Sequence, residues 1–293
     1  MDVQINKPNF FIIGASKCAT TSLWHILRNH PNVFMSEAKE PSFFVRDNYK
    51  DRMLRYLALF EAADGEKVVG EASPVYSETT VFPEIGKRIY EFNPDAKIIY
   101  LVRNPFTRVL SVWKQTLSSG HWYRNVYKED FGNDNIGLMP LNFREALFNY
   151  PPFVEASRYW THLKHYLNYF SEENVLLLYF EEFIQSPEII LEKIYKFLNI
   201  NYFYDPVIVK KPRNNGSQKK KYANWYIYLD PHLKRRFQNS VPPILFSKIV
   251  KRKINVNNLM TSKIKKDIID SLSDEISTIS NYSDRELDYL AIN

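Results

Sequence analysis

The chain has 293 residues, with 39 Lys+Arg against 33 Asp+Glu and a formal net charge of +6. At 45% hydrophobic and 25% charged residues it can bury a sizeable core, which excludes disordered, collagen-like and coiled-coil classes. The positive balance favours anionic ligands without choosing among nucleotides, acidic glycans and nucleic acid.

The elements follow in chain order. Phe10-Phe11-Ile12-Ile13 reads as a buried strand ending at Gly14. Ala15 to Ser22 is then a small-residue loop opening a helix through Leu23 to Leu27, with the Thr/Ser run expected as its N-cap. A second strand is predicted at Lys67–Gly70, ending on Glu71, and a helix over Glu84–Phe92. Lys97–Val102 is the clearest strand, and it runs into Arg103-Asn104-Pro105. Pro105 suits the first turn of a helix carrying Val109, Leu110, Val112 and Trp113. Asn125–Asn142 reads as a long loop. Helices are predicted at Phe143–Asn149, Val154–Phe170 and Pro187–Leu198, with a fourth strand at Val175–Tyr179. Beyond Asn201 come a basic loop, Lys210–Lys221, and an amphipathic helix carrying Ile264, Ile268, Leu272 and Ile276.

Strands alternating with helices predict an α/β fold, three layers with a central, mainly parallel sheet flanked by helices. One domain over residues 1–293 is expected, with the C-terminal third packed on the core. Ligands of such folds bind beyond the carboxyl ends of the strands. Here those ends carry the Gly14–Ser22 loop, Glu71 and Arg103. The first loop has the parts of a phosphate cradle: small residues, a helix N-terminus, Lys17 and three hydroxyls. It is not a Walker A sequence, because Lys17 precedes the hydroxyl run with no second glycine. Arg103, followed eight residues later by Ser111, is a candidate second anion site. The lone Cys18 allows no internal disulfide. No apolar run approaches the ~18 residues that span a bilayer. A soluble, cytoplasmic protein without stable membrane insertion is therefore expected.

Four stretches form a pattern together. Lys17-Cys18-Ala19-Thr20-Thr21-Ser22-Leu23, Lys39-Glu40-Pro41-Ser42-Phe43-Phe44, Glu71-Ala72-Ser73-Pro74-x-Tyr76 and Arg103-Asn104-Pro105-x-x-Arg108-Val109-x-Ser111-x-Trp113 stand in the order and spacing of the sulfotransferases. The chain resembles the members that use 3′-phosphoadenosine-5′-phosphosulfate (PAPS), nearest to the carbohydrate (heparan sulfate sulfotransferase-like) branch and its bacterial relatives. The resemblance extends from about Phe10 to Leu198.

The resemblance implies transfer of a sulfuryl group from PAPS to a hydroxyl of a glycan or glycoconjugate, with the product 3′-phosphoadenosine-5′-phosphate (PAP) left behind. Lys17, Cys18, Ala19, Thr20, Thr21 and Ser22 then hold the 5′-phosphosulfate, and Arg103 and Ser111 hold the 3′-phosphate. Lys17 and Glu40 are the implied catalytic residues, Glu40 as general base, and Glu40 and Gln115 are the implied contacts to the acceptor. Arg213, Gly216 and Lys219 match a loop that closes over the donor. No metal and no nucleic acid partner are implied. Two departures stand out: Ala19 replaces a common glycine, and Ala72 replaces a lysine of the heparan relatives. The residues by themselves leave open a nucleotide-dependent kinase and a non-enzymatic polyanion-binding protein built on the Lys210–Lys221 loop. His162 and His165, three apart on a predicted helix, have metal-compatible spacing but no evident third ligand.

Overall fold

A computed structural model describes residues 6–119, 142–210, 220–223, 226, 229, 231–256 and 258–283. The predicted loop up to residue 141 and the candidates Arg213, Gly216 and Lys219 lie outside these residues.

Five strands form one sheet: β1 (Phe10–Gly14), β2 (Val33–Met35), β3 (Val68–Ala72), β4 (Lys97–Val102) and β5 (Val175–Tyr179). Their order is β2-β3-β1-β4-β5 and every pairing is parallel. Parallel strands covered on both faces read as near-continuous apolar runs; β1 and β3 are buried at every residue, and Glu71 is the one charged residue among them. The three-residue β2 escaped the sequence reading because so short an edge strand carries almost no periodic signal.

The helices are α1 (Thr20–Leu27), α2 (Met53–Leu57), α3 (Ile85–Phe92), α4 (Pro105–Ser119), α5 (Phe143–Asn149), α6 (Tyr159–Leu167), α7 (Phe180–Gln185), α8 (Pro187–Phe197), α9 (Pro206–Val209), α10 (Pro231–Ser240), α11 (Pro243–Val250) and α12 (Ser262–Ser283). The short antiparallel pair β6 (Lys220–Tyr222) and β7 (Lys251–Lys253) completes the described elements. β3 and β4 flank β1 on opposite sides, so the chain reverses direction around β1. Such a switch point opens a crevice at the carboxyl end of the central strand.

The segment predicted as one helix over Val154–Phe170 is instead a 3-10 turn, Glu155–Ser157, followed by α6, with Arg158 at φ −74°, ψ 65° between them. The cause is Arg108. Its guanidinium, wholly buried, donates to Ser157 Oγ at 2.8 Å, to the Pro152 carbonyl at 3.0 Å and to the Phe153 carbonyl. The C-terminal α12 presents Ile268 and Leu272 to Phe106, Val109, Trp113, Phe143 and Phe153, with Ile264 and Ile276 packed alongside. Farther along, Ile279 joins the cluster around the sheet. Thr161 donates from its N–H to Glu275 at 2.9 Å and fastens α6 to α12.

Candidate active site

The loop between β1 and α1 turns sharply. Gly14 has φ +154°, and a Cβ there would sit 2.3 Å from Ser77 Oγ, so only glycine fits. Lys17 at φ 71° and Ala19 at φ 66° are both left-handed. The predicted side-chain cap of α1 is absent: Ala19 occupies the N-cap position, and no side chain bonds to the first turn. Thr20, Thr21 and Ser22 are therefore the first residues of the helix rather than its cap. Their N–H groups and the positive end of the helix dipole are left for an anion.

Arg103, at the end of β4, is fixed before any ligand arrives. Its Nε donates to Thr107 Oγ1 at 2.8 Å, its Nη1 donates to the Lys17 carbonyl at 3.0 Å, and its guanidinium lies 4.1 Å from the Phe180 ring centroid. Burial lowers its pKa from the usual arginine value. The bond to Lys17 ties the loop after β1 to the end of β4.

Glu40 and Ser42 lie on a connection held from below by a buried network. Glu71 is completely buried on β3 and accepts hydrogen bonds from Tyr56 Oη at 2.6 Å, Ser73 Oγ at 2.6 Å and Tyr76 Oη at 2.9 Å. Two of those hydroxyls also accept from the backbone above. Ser42 N–H donates to Ser73 Oγ at 3.0 Å, and Phe43 N–H donates to Tyr76 Oη at 2.9 Å. Glu40 N–H donates to the Ala72 carbonyl at 3.2 Å. Held this way, the connection keeps Glu40 at φ 59° and Ser42 at φ 50°, strained for residues with a Cβ. Burial pushes the Glu71 carboxyl up to about 7, against the lowering effect of its three donors.

These pieces meet in one cleft of about 700 Å³. Lys17, Ala19, Thr20, Thr21, Ser22, Glu40, Arg103, Ser111 and Gln115, all singled out from the sequence, line it. Cys18 does not. Its side chain is buried in the core, its N–H donates to the Ala15 carbonyl at 3.2 Å, and burial pushes the thiol up to about 12. It has neither a free amide nor a thiolate to offer an anion. Glu71, expected from its place at a strand end, likewise lies beneath the cleft and not in it. Glu40 is ion-paired with its neighbour Lys39 while half of its side chain stays exposed.

Sequence reading missed Thr107, Leu110 and Lys114 on α4, Phe180 and Ile184 on α7, and Glu78. A signal for the α4 residues was present, since positions 107, 110, 111, 114 and 115 are one helical face once Ser111 and Gln115 are nominated. His162 and His165 turn out to serve packing. His162 Nε2–H donates to the Glu155 carbonyl at 3.1 Å, leaving Nδ1 to accept from Thr79 Oγ1 at 3.0 Å. Burial drives the His162 pKa down to about 4. His165 Nε2 accepts from Gly86 N–H at 3.3 Å. Among the described residues no group of three His, Cys, Asp or Glu side chains gathers as a metal site.

Fold and cleft together define an α/β protein with a crevice lined by lysine, arginine and hydroxyl side chains at the carboxyl ends of a parallel sheet. Residues 7–242 match the sulfotransferase domain, and the chain belongs to that family. It is 30% identical over 193 residues to human heparan sulfate glucosamine 3-O-sulfotransferase 6, covering 66% of this chain and 52% of that one. Against mouse carbohydrate sulfotransferase 15 it is 27% identical over 269 residues, covering 71% and 47%. The chain thus spans about half the length of these curated relatives. A sulfotransferase from Alicyclobacillus acidocaldarius has the same fold, with a TM-score of 0.63 and 22% identity over 97% of this chain and 98% of that one.

Proposed function

We propose that the protein transfers a sulfuryl group from PAPS to a hydroxyl of a glycan or glycoconjugate. The observation that carries this reading is the convergence of Lys17, Thr20–Ser22, Arg103, Ser111, Glu40 and Gln115 on a single cleft. The donor set suits a ligand with two anionic ends. One end would rest on the helix N-terminus, three hydroxyls and Lys17; the other would meet the Arg103 fork and Ser111. Bound there, PAPS supplies the sulfuryl group and a phosphate leaving group. The relatives' names favour a carbohydrate acceptor, although Ala72 is buried and offers no cation to an acceptor carboxylate.

The residues divide the work by their chemistry. Sulfuryl transfer, like phosphoryl transfer, rests on alignment and on neutralising charge at the leaving oxygen. Lys17 carries a compact point charge suited to that oxygen, while the planar fork of Arg103 suits a phosphate that does not react. Glu40 accepts the proton of the attacking hydroxyl, and Gln115 across the cleft orients it. A cytoplasmic site of action belongs to the same proposal.

The test is calorimetric titration with PAP, using ATP and 5′-AMP as controls and no added metal. Micromolar binding that needs the 3′-phosphate and falls by at least about tenfold in Arg103→Ala supports the reading. Equal preference for ATP would overturn it in favour of a nucleotide-dependent kinase.

A further inference from the structure

The family match stops at residue 242, and the next element, α11, is an apolar helix facing solvent. Ile244 is 77% exposed, Leu245 49% and Ile249 36%, with Lys248 exposed on the same side. The opposite face is anchored. Phe246 lies 5.5 Å from Tyr226 and 5.9 Å from Phe237 between ring centroids, and Val250 is fully buried. The helix is thus held so as to present its apolar side outward, which calls for an explanation that scattered surface leucines do not.

Positive charge adjoins that face. In the β6–β7 ribbon, whose second strand follows α11 directly, Lys220 stands opposite Lys253 and Lys221 opposite Arg252. Like charges directly opposite work against strand pairing, so the ribbon gathers cations at some cost to itself. Among the described residues no carboxylate is ion-paired with Lys220, Lys221, Lys248, Lys251, Arg252 or Lys253. Arg252 Nη1 donates to the Lys248 carbonyl at 3.0 Å, which folds the guanidinium onto the C-terminal end of α11.

We propose that α11 and one face of the β6–β7 ribbon form a docking surface for an anionic lipid bilayer, with Ile244, Leu245 and Ile249 entering the acyl boundary and Lys248, Arg252 and Lys221, which stands opposite Arg252, meeting lipid phosphates. Apolar side chains on one face of a helix rimmed by lysine and arginine are the pattern that lies in a membrane interface. A soluble polyanion would use the cations and leave Ile244 and Leu245 in water. A second copy of this chain would set cation against cation. The ribbon strand β6 packs on α4, so a bilayer bound there lies beside the cleft.

The experiment sediments the full chain with phosphatidylcholine vesicles, with and without phosphatidylglycerol. The chain is expected to pellet with the anionic vesicles and to bind the neutral ones at least tenfold more weakly, since each cation near an anionic surface contributes roughly fivefold. Ile244→Ser/Leu245→Ser should weaken binding by about tenfold or more at an unchanged melting temperature. In Ile244→Trp, brominated acyl chains should quench the new indole. Failure to pellet overturns the proposal. So does an Ile244→Ser/Leu245→Ser variant that binds vesicles and soluble heparin as tightly as the parent, which would mark a polyanion site. Self-association abolished by that variant, with no vesicle binding, would assign the face to a second copy instead.

Discussion

Glu71→Gln should change how stability depends on pH, and the size of the change follows from two buried groups. Glu71 is held near 7 in the folded chain against 4.5 for an ordinary glutamate. Between those values the folded protein keeps a proton that the unfolded chain has released, so stability falls as pH rises from about 4.5 to 7, by about 3 kcal/mol in all. His162 works in the opposite direction. Its pKa drops from 6.5 to about 4, so the unfolded chain binds the extra proton and stability rises with pH over that interval by a similar amount. In the parent the two slopes oppose each other and largely cancel from about pH 4.5 to 6.5. Urea denaturation of parent and Glu71→Gln at half-unit pH steps separates them. The difference between the two unfolding free energies should move by about 3 kcal/mol across pH 4.5–7 in favour of Glu71→Gln. The substitution should also expose the His162 rise that Glu71 conceals. The surrounding phenols, Tyr56, Tyr76 and Tyr166, are pushed above their usual value by burial and contribute nothing in this window. A difference curve that is flat with pH would refute the account of Glu71 as a buried, proton-retaining carboxyl.

Three further outcomes are expected. Glu40→Gln should leave PAP affinity within about twofold of the parent while lowering turnover of a verified acceptor by about 10²–10⁴-fold; undiminished turnover would remove Glu40 from the base role. Ala19→Gly should raise stability by about 0.5–1 kcal/mol in thermal melting, because the left-handed backbone at φ 66° is strained for alanine and open to glycine. A drop in stability there would mean that the loop relaxes in a way these angles do not convey. Arg108→Met should cost about 3 kcal/mol in urea denaturation, since it removes the donor to the Pro152 carbonyl and to Ser157 Oγ and leaves the Phe153 carbonyl only the longer bond from Ser157 Oγ. A loss under about 1 kcal/mol would show that the turn at 152–157 does not depend on the guanidinium.

Much of the site was legible because its residues lie next to strong local signals. Phe10–Gly14 and Lys97–Val102 announce themselves as buried strands, so the loop bearing Lys17 and the position of Arg103 follow directly. Cys18 shows where such reading stops. A one-dimensional motif includes every residue of the loop alike, whereas left-handed Lys17 and Ala19 turn alternate side chains to opposite sides, sending the Cys18 thiol into the core. Glu71 was noticed for its place at a strand end, but burial gave it a different task, fastening through Ser73 and Tyr76 the connection that carries Glu40. Arg108 stood in the motif with no assigned role until its contacts made it the clamp that breaks the helix predicted over Val154–Phe170.

The sequence by itself determined the alternation of apolar strands and amphipathic helices, and hence the parallel α/β sheet, because periodicity and burial are properties of neighbouring residues. It also determined the family, through four short motifs kept in order. Tertiary structure decided which side chains face the cleft, which are sealed beneath it, and how a wholly buried glutamate holds a strained connection in place. It also decided that α11 shows its apolar side to solvent beside a cationic ribbon. These depend on desolvation and on contacts between residues far apart in the chain, such as Glu71 with Tyr56 or Lys220 with Lys253, and no local pattern encodes them.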